Sequence, residues 1–463
     1  MELTKNIQLA FYGDDFTGST DAMEFLTRAG LRTVLFLENP SSEQMERFGN
    51  PEAIGIAGMT RAMIPNEMEQ TLAKAFTELK KLNPRHVHYK VCSTFDSSPE
   101  IGNIGTAIET GQKIFKNDFT PVLVAAPHLG RYSAFGNLFA RMGIGSQGKI
   151  FRLDRHPSMC AHPVTPATES DLQVHLGRQT QLPIGLIDLV DLQNEVDEIQ
   201  QKIDVEVSAG KRILFFDGIC DEQMAKIGAV IDRQVIEEQP LFSVGSSGIE
   251  KALGDYWADE NRYQPRQSWT ELKASGPMLV LSGSVSPVTA DQITRAVESG
   301  FEEIAVDALI MDTDDPETFI TEYQQKIISA FKKGQSVILH TSKGPDDPRV
   351  QQIKELLEGK GWDEQTRRIE TSKRFGKILG QSARRALEEF QVKRMVIAGG
   401  DTSGYVAREL GIEAVEMIAP VFPGAPVCKA FANASPVNGM EVNLKGGQVG
   451  DENYFIKIKK WKI

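Results

Sequence analysis

Near the start of the chain, the stretch "GDDFTGST" from Gly13 to Thr20 spaces its glycines and hydroxyls almost as a phosphate-binding P-loop does, but it lacks the lysine. In place of a cation it offers Asp14 and Asp15, two adjacent carboxylates that would repel a triphosphate. With Thr17, Gly18, Ser19 and Thr20 behind them, these acids suit polyol hydroxyls or a metal, and either could orient or deprotonate a hydroxyl. Phosphate is better served by "AGGDTSGYVARELG", where a strand ending at Ala398 meets a helix start. There Gly399, Gly400 and Gly404 let a bulky anion approach the backbone, and Thr402 and Ser403 add hydroxyl donors. Asp401 stands where a dinucleotide fingerprint needs glycine, and no lysine follows Gly404, so neither GxGxxG nor Walker A is present.

Two further loops in the same half repeat this design. "LSGSVSPVT" sets Ser282, Gly283, Ser284 and Ser286 between a strand and a helix, and "LKGGQVGDENYF" contains Gly446 and Gly447. Each also has a purely structural reading, as a tight turn whose Ser or Thr caps the next helix or as a plain bend. Three in one half point to an extended phosphate-bearing ligand such as a nucleotide.

The first half supplies other chemistry. "GMTRAM" places Arg61 after an apolar run, and "HYKVCSTF" places Lys90, Ser93 and Thr94 at a strand end. Arginine suits bidentate carboxylate recognition and lysine supplies a compact charge, although single cations are more often solvated surface groups. "HPSMCAHPVTP" gathers His156, Cys160 and His162, but the spacing matches no zinc pattern and the loop reads as structural. His86 and His88, alternating beside Lys90, read as packing or surface residues.

The elements that must position these residues follow one grammar: a short apolar run, a Gly, Ser, Thr or Asp loop, then a helical pattern. With 463 residues the chain exceeds one hydrophobic core, and the polar segment "YWADENRYQPRQSWTELKASGP" interrupts the grammar. We therefore expect an N-terminal α/β domain over 1–254, a linker or crossing over 255–274, and a C-terminal α/β domain over 275–463. Both sheets should be largely parallel, with the active site in the cleft between the domains. A hydrophobic fraction of 41%, a charged fraction of 25% and a net charge of -12 describe a globular protein that is neither a general nucleic-acid binder nor a binder of anionic membranes. The four cysteines form no CxxC pair and no stretch approaches a membrane span, so the chain reads as cytoplasmic. The oligomeric state stays open, a homo-oligomer included.

As a set, these residues resemble the four-carbon acid sugar kinase family, which phosphorylates tetronates and related sugar acids with ATP. The resemblance covers most of the chain in the family's order: "DDFTGSTD", "TR" at Thr60 and Arg61, "KVCSTF", "IGNIG", "HPVTPATESDL", "SGSVSPVTADQI", "GGDTSG", "FPGAP" and "LKGGQVG". It implies ATP, with Mg²⁺, near Ser282 to Ser284, Gly399 to Gly404, and Gly446 or Gly447. It also implies a sugar acid at Asp14, Asp15, Arg61 and the Lys90 to Thr94 loop. On this reading Asp15, or else Asp14, acts on the acceptor hydroxyl, Arg61 and Lys90 grip the acid, and domain closure excludes water. The family commonly reads Lys-x-Asp-Ser-Thr followed by an Arg-Gly step. Here Cys92 replaces the aspartate and "FDSSPEIGNIG" replaces the continuation, which allows a differently shaped acid, branched or oxo, such as 3-oxo-isoapionate. A dinucleotide oxidoreductase and a non-catalytic sugar-acid sensor are the rival classes. The missing GxGxxG weighs against the first, and retention of the acidic pair with three glycine loops against the second.

Overall fold

The computed structural model describes residues 7–142, 148–160, 165–313 and 315–461, and the chain divides into one unit up to Gln267 and a second from Ser268. The first unit carries β1 (Leu9–Gly13), β2 (Thr33–Phe36), β3 (Ala53–Ala57), β4 (His86–Lys90) and β5 (Thr120–Leu123). Next come β6 (Arg131–Ala134), β7 (Asn137–Arg141) and β8 (Ile150–Arg152), which pair antiparallel as a small separate sheet. The unit is completed by β9 (Ile184–Ile187), β10 (Ile213–Phe216) and β11 (Leu241–Gly245). Its main sheet is parallel, in the order β2-β3-β1-β4-β11-β5-β10-β9. Runs such as "LAFYG" and "AIGIA" are buried throughout, as parallel strands covered on both faces must be.

The second unit contains β12 (Met278–Ser282), β13 (Glu302–Ala305), β14 (Val337–His340), β15 (Arg394–Ala398), β16 (Ile412–Phe422), β17 (Ala425–Ala432) and β18 (Glu441–Lys445). Its order is β13-β14-β12-β15-β18-β17-β16, parallel from β13 to β18 and antiparallel across β17 and β16. Met278, Val280, Ile338 and Val396 pack with Tyr454 and Phe455 of the C-terminal helix to form its core.

In each unit the strand order reverses beside the first strand, between β1 and β4 and between β12 and β15. Such reversals open a crevice beyond the carboxyl ends of the strands, where ligands of open α/β sheets bind. The polar segment expected as a linker is shared out. The helix Gly248–Asp259 runs into it and the Arg266 amide bonds Arg28 of the first unit, whereas the Lys273 carbonyl accepts from Arg394 of the second. Among the described residues, no helix is long and apolar enough to cross a membrane.

Two buried polar knots brace the first unit. Asp232 accepts from Arg85 (2.9 and 2.8 Å), His86 (2.8 Å), Trp257 (3.2 Å) and Arg262 (3.1 Å). Burial works against its charge, yet the His86 and Arg85 bonds hold it well below the usual carboxylate range. His86, its own pKa lowered by burial, is a strut, as the alternation with Lys90 suggested. In the second knot Glu250 is fully buried with both carboxyl oxygens unpartnered, and its Oε1 lies 3.7 Å from His88 Nε2. Burial pushes Glu250 up to about 8 and His88 down to about 3, so both are neutral near pH 7. Lys90, partly countering the effect on Glu250, and Asp21 share this pocket of the interior.

Replacing Asp232 removes the shared acceptor of two partly exposed arginines and of the buried His86 and Trp257 donors. Asp232→Asn should lower the stability of the first unit by about 3 kcal/mol, measured by urea unfolding followed by tryptophan fluorescence. Glu250 has a folded pKa above its unfolded value, so its stabilisation is full below pH 4.5 and is lost as pH rises towards 8. Glu250→Gln should therefore match the wild-type Tm at pH 4.5 and exceed it by several degrees at pH 8; parallel Tm profiles would show that Glu250 titrates normally.

Candidate active site

The loops after β1, β3 and β4 are tied together by their backbones before any side chain is considered. The Asp14 amide bonds the Lys90 carbonyl at 2.8 Å, Arg61 N bonds the Asp14 carbonyl at 3.1 Å, and Gly58 N bonds the Gly13 carbonyl at 3.0 Å. Asp15 ends this turn as the N-cap of helix Phe16–Arg28, its Oδ1 accepting from the Gly18 amide at 2.8 Å.

Arg61 joins the two acids. Its Nε and Nη2 donate to Asp14 Oδ2 and Oδ1 at 3.0 and 2.7 Å, a bidentate pair, and its Nη1 donates to Asp15 Oδ2 at 2.9 Å. Thr17 Oγ1 donates to the same Asp15 oxygen at 3.1 Å. Burial raises the proton affinity of Asp14, Arg61 pulls it back and the Asp15 charge raises it further. Burial disfavours the Arg61 charge too, but Asp14 and Asp15 hold it firmly protonated. Sequence reasoning placed Arg61 among the substrate grips; in the structure each of its donor nitrogens faces an aspartate.

Lys90 is buried beside this cluster, its Nζ donating to the Val91 carbonyl at 3.0 Å and standing 3.7 Å from Asp21 Oδ2. Against the cost of burial, Asp21 and then Asp14 keep its pKa above the ordinary value. Asp21, inside "DDFTGSTD", lies within helix Phe16–Arg28 and carries no local motif of its own; only the fold brings it to Lys90. Glu250 has no motif of its own either, although "GSSGIE" has the strand, loop and helix grammar of the other sites.

Ser93 and Thr94 begin the altered loop and are nearly buried, with Thr94 Oγ1 2.9 Å from Cys92 Sγ. Burial and then Asp96 push the Cys92 thiol up to about 11, so it is neutral. The extended continuation serves a positional purpose. Gly102, at φ +60°, packs so closely that a Cβ there would lie 2.6 Å from the Arg61 carbonyl, and its amide bonds Met63 O at 3.0 Å. Asn103 then caps helix Ile104–Phe115. Thr94, Asp96, Ser97, Thr165, Glu169 and His175 line a small pocket on this side of the unit. In the "HPSMC" turn, His156 Nδ1 accepts from the Ser158 and Met159 amides at 3.2 and 3.3 Å, while His162 lies outside the described residues.

In the second unit the three glycine loops are neighbours. Gly283 N bonds the Ala398 carbonyl and Gly399 N the Lys445 carbonyl, both at 3.0 Å, and Thr289 Oγ1 bonds Gly447 O at 2.8 Å. Gly283 is demanded by contact, because a Cβ there would fall 2.5 Å from Thr402 Cβ. Ser282 Oγ accepts from the Ser284 amide (3.4 Å) and Ser284 Oγ from the Ser286 amide (3.2 Å), so both hydroxyls brace their own loop. Ser403 Oγ donates to the Gly399 carbonyl. Helix Asp401–Glu409, with Gly404 in its first turn, starts without a side-chain cap, and a Cβ on Gly400 would meet nothing within 4 Å. An uncapped helix start with room beside Gly400 is an arrangement that accepts an anion; the Asp401 side chain lies outside the described residues. Gly446 and Gly447 follow Lys445, whose Nζ turns inward to Thr289 Oγ1 at 3.1 Å and is driven by burial down to about 7.

The comparisons with known proteins follow the same division. The sugar-binding N-terminal domain model matches residues 9–253 and the nucleotide-binding C-terminal domain model matches residues 279–455. The chain is similar to a 3-oxo-isoapionate kinase of Paraburkholderia graminis, at 37% identity over 98% of this chain and 94% of the relative. It is similar at 28% identity to a 3-oxo-tetronate kinase of Pseudomonas savastanoi pv. phaseolicola, over 98% and 96% of the two chains. A solved structure from Salmonella typhimurium LT2 has the same fold, with a TM-score of 0.74, 24% identity and coverage of 98% and 99%. With matched domains spanning both units in this order, the chain belongs to the four-carbon acid sugar kinase family.

Proposed function

We propose that this protein transfers the γ-phosphoryl group of ATP to a hydroxyl of a small sugar acid. The observation that carries this reading is the buried Asp14, Arg61 and Asp15 cluster at the strand ends of the sugar-binding unit, paired with an amide-rich loop crevice in the nucleotide-binding unit. One crevice is built from carboxylates and suits hydroxyls; the other is built from amides and hydroxyls and suits phosphate. A four-carbon acid such as a tetronate or 3-oxo-tetronate is the core of the reading. Cys92 and the long loop after it, together with the 37% identity to a 3-oxo-isoapionate kinase, favour a branched oxo acid as the second reading.

Phosphoryl transfer needs an in-line hydroxyl and neutralised phosphate charge rather than covalent help from the protein. In our reading the acceptor hydroxyl sits on the acidic pair. Asp15, fixed by the Gly18 amide and Thr17, orients it, and Asp14, whose proton affinity is raised by burial, shares the proton as it leaves. The two acids share Arg61, which donates to both. Lys90 and the hydroxyls of Ser93 and Thr94 supply donors to the sugar acid. The Gly399 to Gly404 amides, with Ser282, Gly283, Ser284, Gly446 and Gly447 around them, hold the ATP phosphates. Mg²⁺ would arrive with ATP, keeping phosphate oxygens and water as most of its ligands; among the described residues, no group of three or more His, Cys, Asp or Glu side chains gathers as a metal site. A cytoplasmic setting, where ATP is supplied, completes the reading.

An ATP-consumption screen over tetronates, 3-oxo-tetronates and 3-oxo-isoapionate should give ADP release with at least one acid and none with NAD in place of ATP. Asp15→Asn keeps the helix cap and should lower kcat by about 10²–10⁴-fold while leaving the ATP Kd unchanged; wild-type turnover would remove its role. Gly400→Glu adds a carboxylate at the uncapped helix start, and should weaken ATP at least tenfold without moving the KM for the acid. An unchanged nucleotide Kd would displace ATP from that loop.

A further inference from the structure

The long loop after Lys90 turns on a strained residue. Phe95 sits at φ +55°, in the left-handed region that bulky side chains rarely adopt. The turn is held on both sides, because the Phe95 amide bonds the Cys92 carbonyl at 2.9 Å and Ser97 Oγ donates to the Phe95 carbonyl at 3.0 Å. The ring itself is buried, its centroid 5.9 Å from those of Phe215 and His175. A backbone kept in so costly a conformation beside a pocket fixes where its neighbours lie. Those neighbours are Thr94 and Asp96, and both line the pocket.

Most of the polar groups around that pocket are committed to the protein. Ser97 Oγ accepts from Gln179 Nε2 at 2.9 Å and lies 2.9 Å from His175 Nε2, while Glu169 Oε1 accepts from the Ser170 and Asp171 amides at 2.9 and 3.0 Å. Asp96 differs. Among the described residues its carboxylate accepts no hydrogen bond and forms no ion pair. A carboxylate accepts hydrogen bonds and repels other anions, so the group that completes it is a hydroxyl and not the acid end of a substrate. The cavity measures about 10 Å³, room for a single water-sized group. A whole sugar acid does not fit there, but the end of a one-carbon branch does. Leu153, Ala167 and Leu172 supply apolar wall for its methylene.

Thr94 belongs both to this wall and to the loop read above as a donor to the sugar acid. Phe95, Asp96 and Ser97 come from the segment in which this chain departs from the family's pattern, so the pocket is built by this chain's own loop. We infer that it receives the hydroxymethyl branch of a branched 3-oxo sugar acid, with Asp96 accepting from the branch hydroxyl, and so selects branched over linear acids. This rests on the kinase reading and names the part of the substrate that the altered loop recognises.

The test uses the full chain with 3-oxo-isoapionate and with 3-oxo-tetronate, which lacks the hydroxymethyl branch, following ADP release. Wild type should show a kcat/KM at least about tenfold higher for the branched acid. Asp96→Ala removes the acceptor and Ala167→Leu fills the cavity; each should lower the branched-to-linear ratio at least about tenfold, chiefly through the KM of the branched acid. If wild type turns over the branched acid alone, its kcat/KM in the variants is read in place of the ratio. The two substitutions lie on separate segments, so failure of one to fold leaves the other decisive. A wild type that favours the linear acid, or a folded variant that keeps the wild-type ratio, overturns the role of the pocket while the kinase reading stands. Absence of wild-type turnover on every acid overturns both.

Discussion

The substrate side of this protein depends on one electrostatic fact: two adjacent buried carboxylates need a cation, and Arg61 reaches both. Burial and the neighbouring Asp15 charge raise the proton affinity of Asp14, and Arg61 opposes both. The bidentate pair with Asp14 and the single bond to Asp15 let the acids remain side by side at the mouth of the sheet. That geometry requires the Arg61 turn to sit at a fixed distance from β1. The parallel pairing of β1 with β3 provides the coarse placement, and the close approach of Gly102 to the Arg61 carbonyl provides the fine one. The long loop after Lys90 is therefore a brace for the cluster as well as a wall of the site.

The two units use opposite electrostatics at equivalent topological positions. Each places its loops beyond the carboxyl ends of the strands flanking the reversal of strand order. The first fills that place with charged side chains, the second with glycines, hydroxyls and helix amides. Lys445 shows how strict the second arrangement is. A lysine directly before two glycines would ordinarily be assigned to phosphate, yet its Nζ is turned to Thr289 and lies 5.4 and 5.9 Å from the rings of Tyr454 and Phe455. On the proposed reading, anion binding there falls to dipoles, which hold phosphate without adding a charge that must be desolvated.

Two buried acids of the first unit resolve their own charge by different routes. Asp232 does so by collecting four donor residues, and Glu250 by staying protonated.

The fold class was legible because its signals are local. Apolar runs followed by Gly, Ser or Asp loops and helical periodicity mark strand, turn and helix within about thirty residues, and each unit is built from that word. The acidic pair and the glycine loops were legible for the same reason, since their chemistry lies in consecutive residues. The partnership of Arg61 with Asp14 and Asp15, 47 and 46 residues away, was not, because crossovers between parallel strands bring chain-distant strand ends together. Nor did the sequence reveal that Lys445 points inward or that Glu250 lies beside His88. Residue type and spacing determined which chemistry the chain possesses. Only the tertiary structure decided which charges are neutralised within the protein, because burial and pairing are properties of the packed whole.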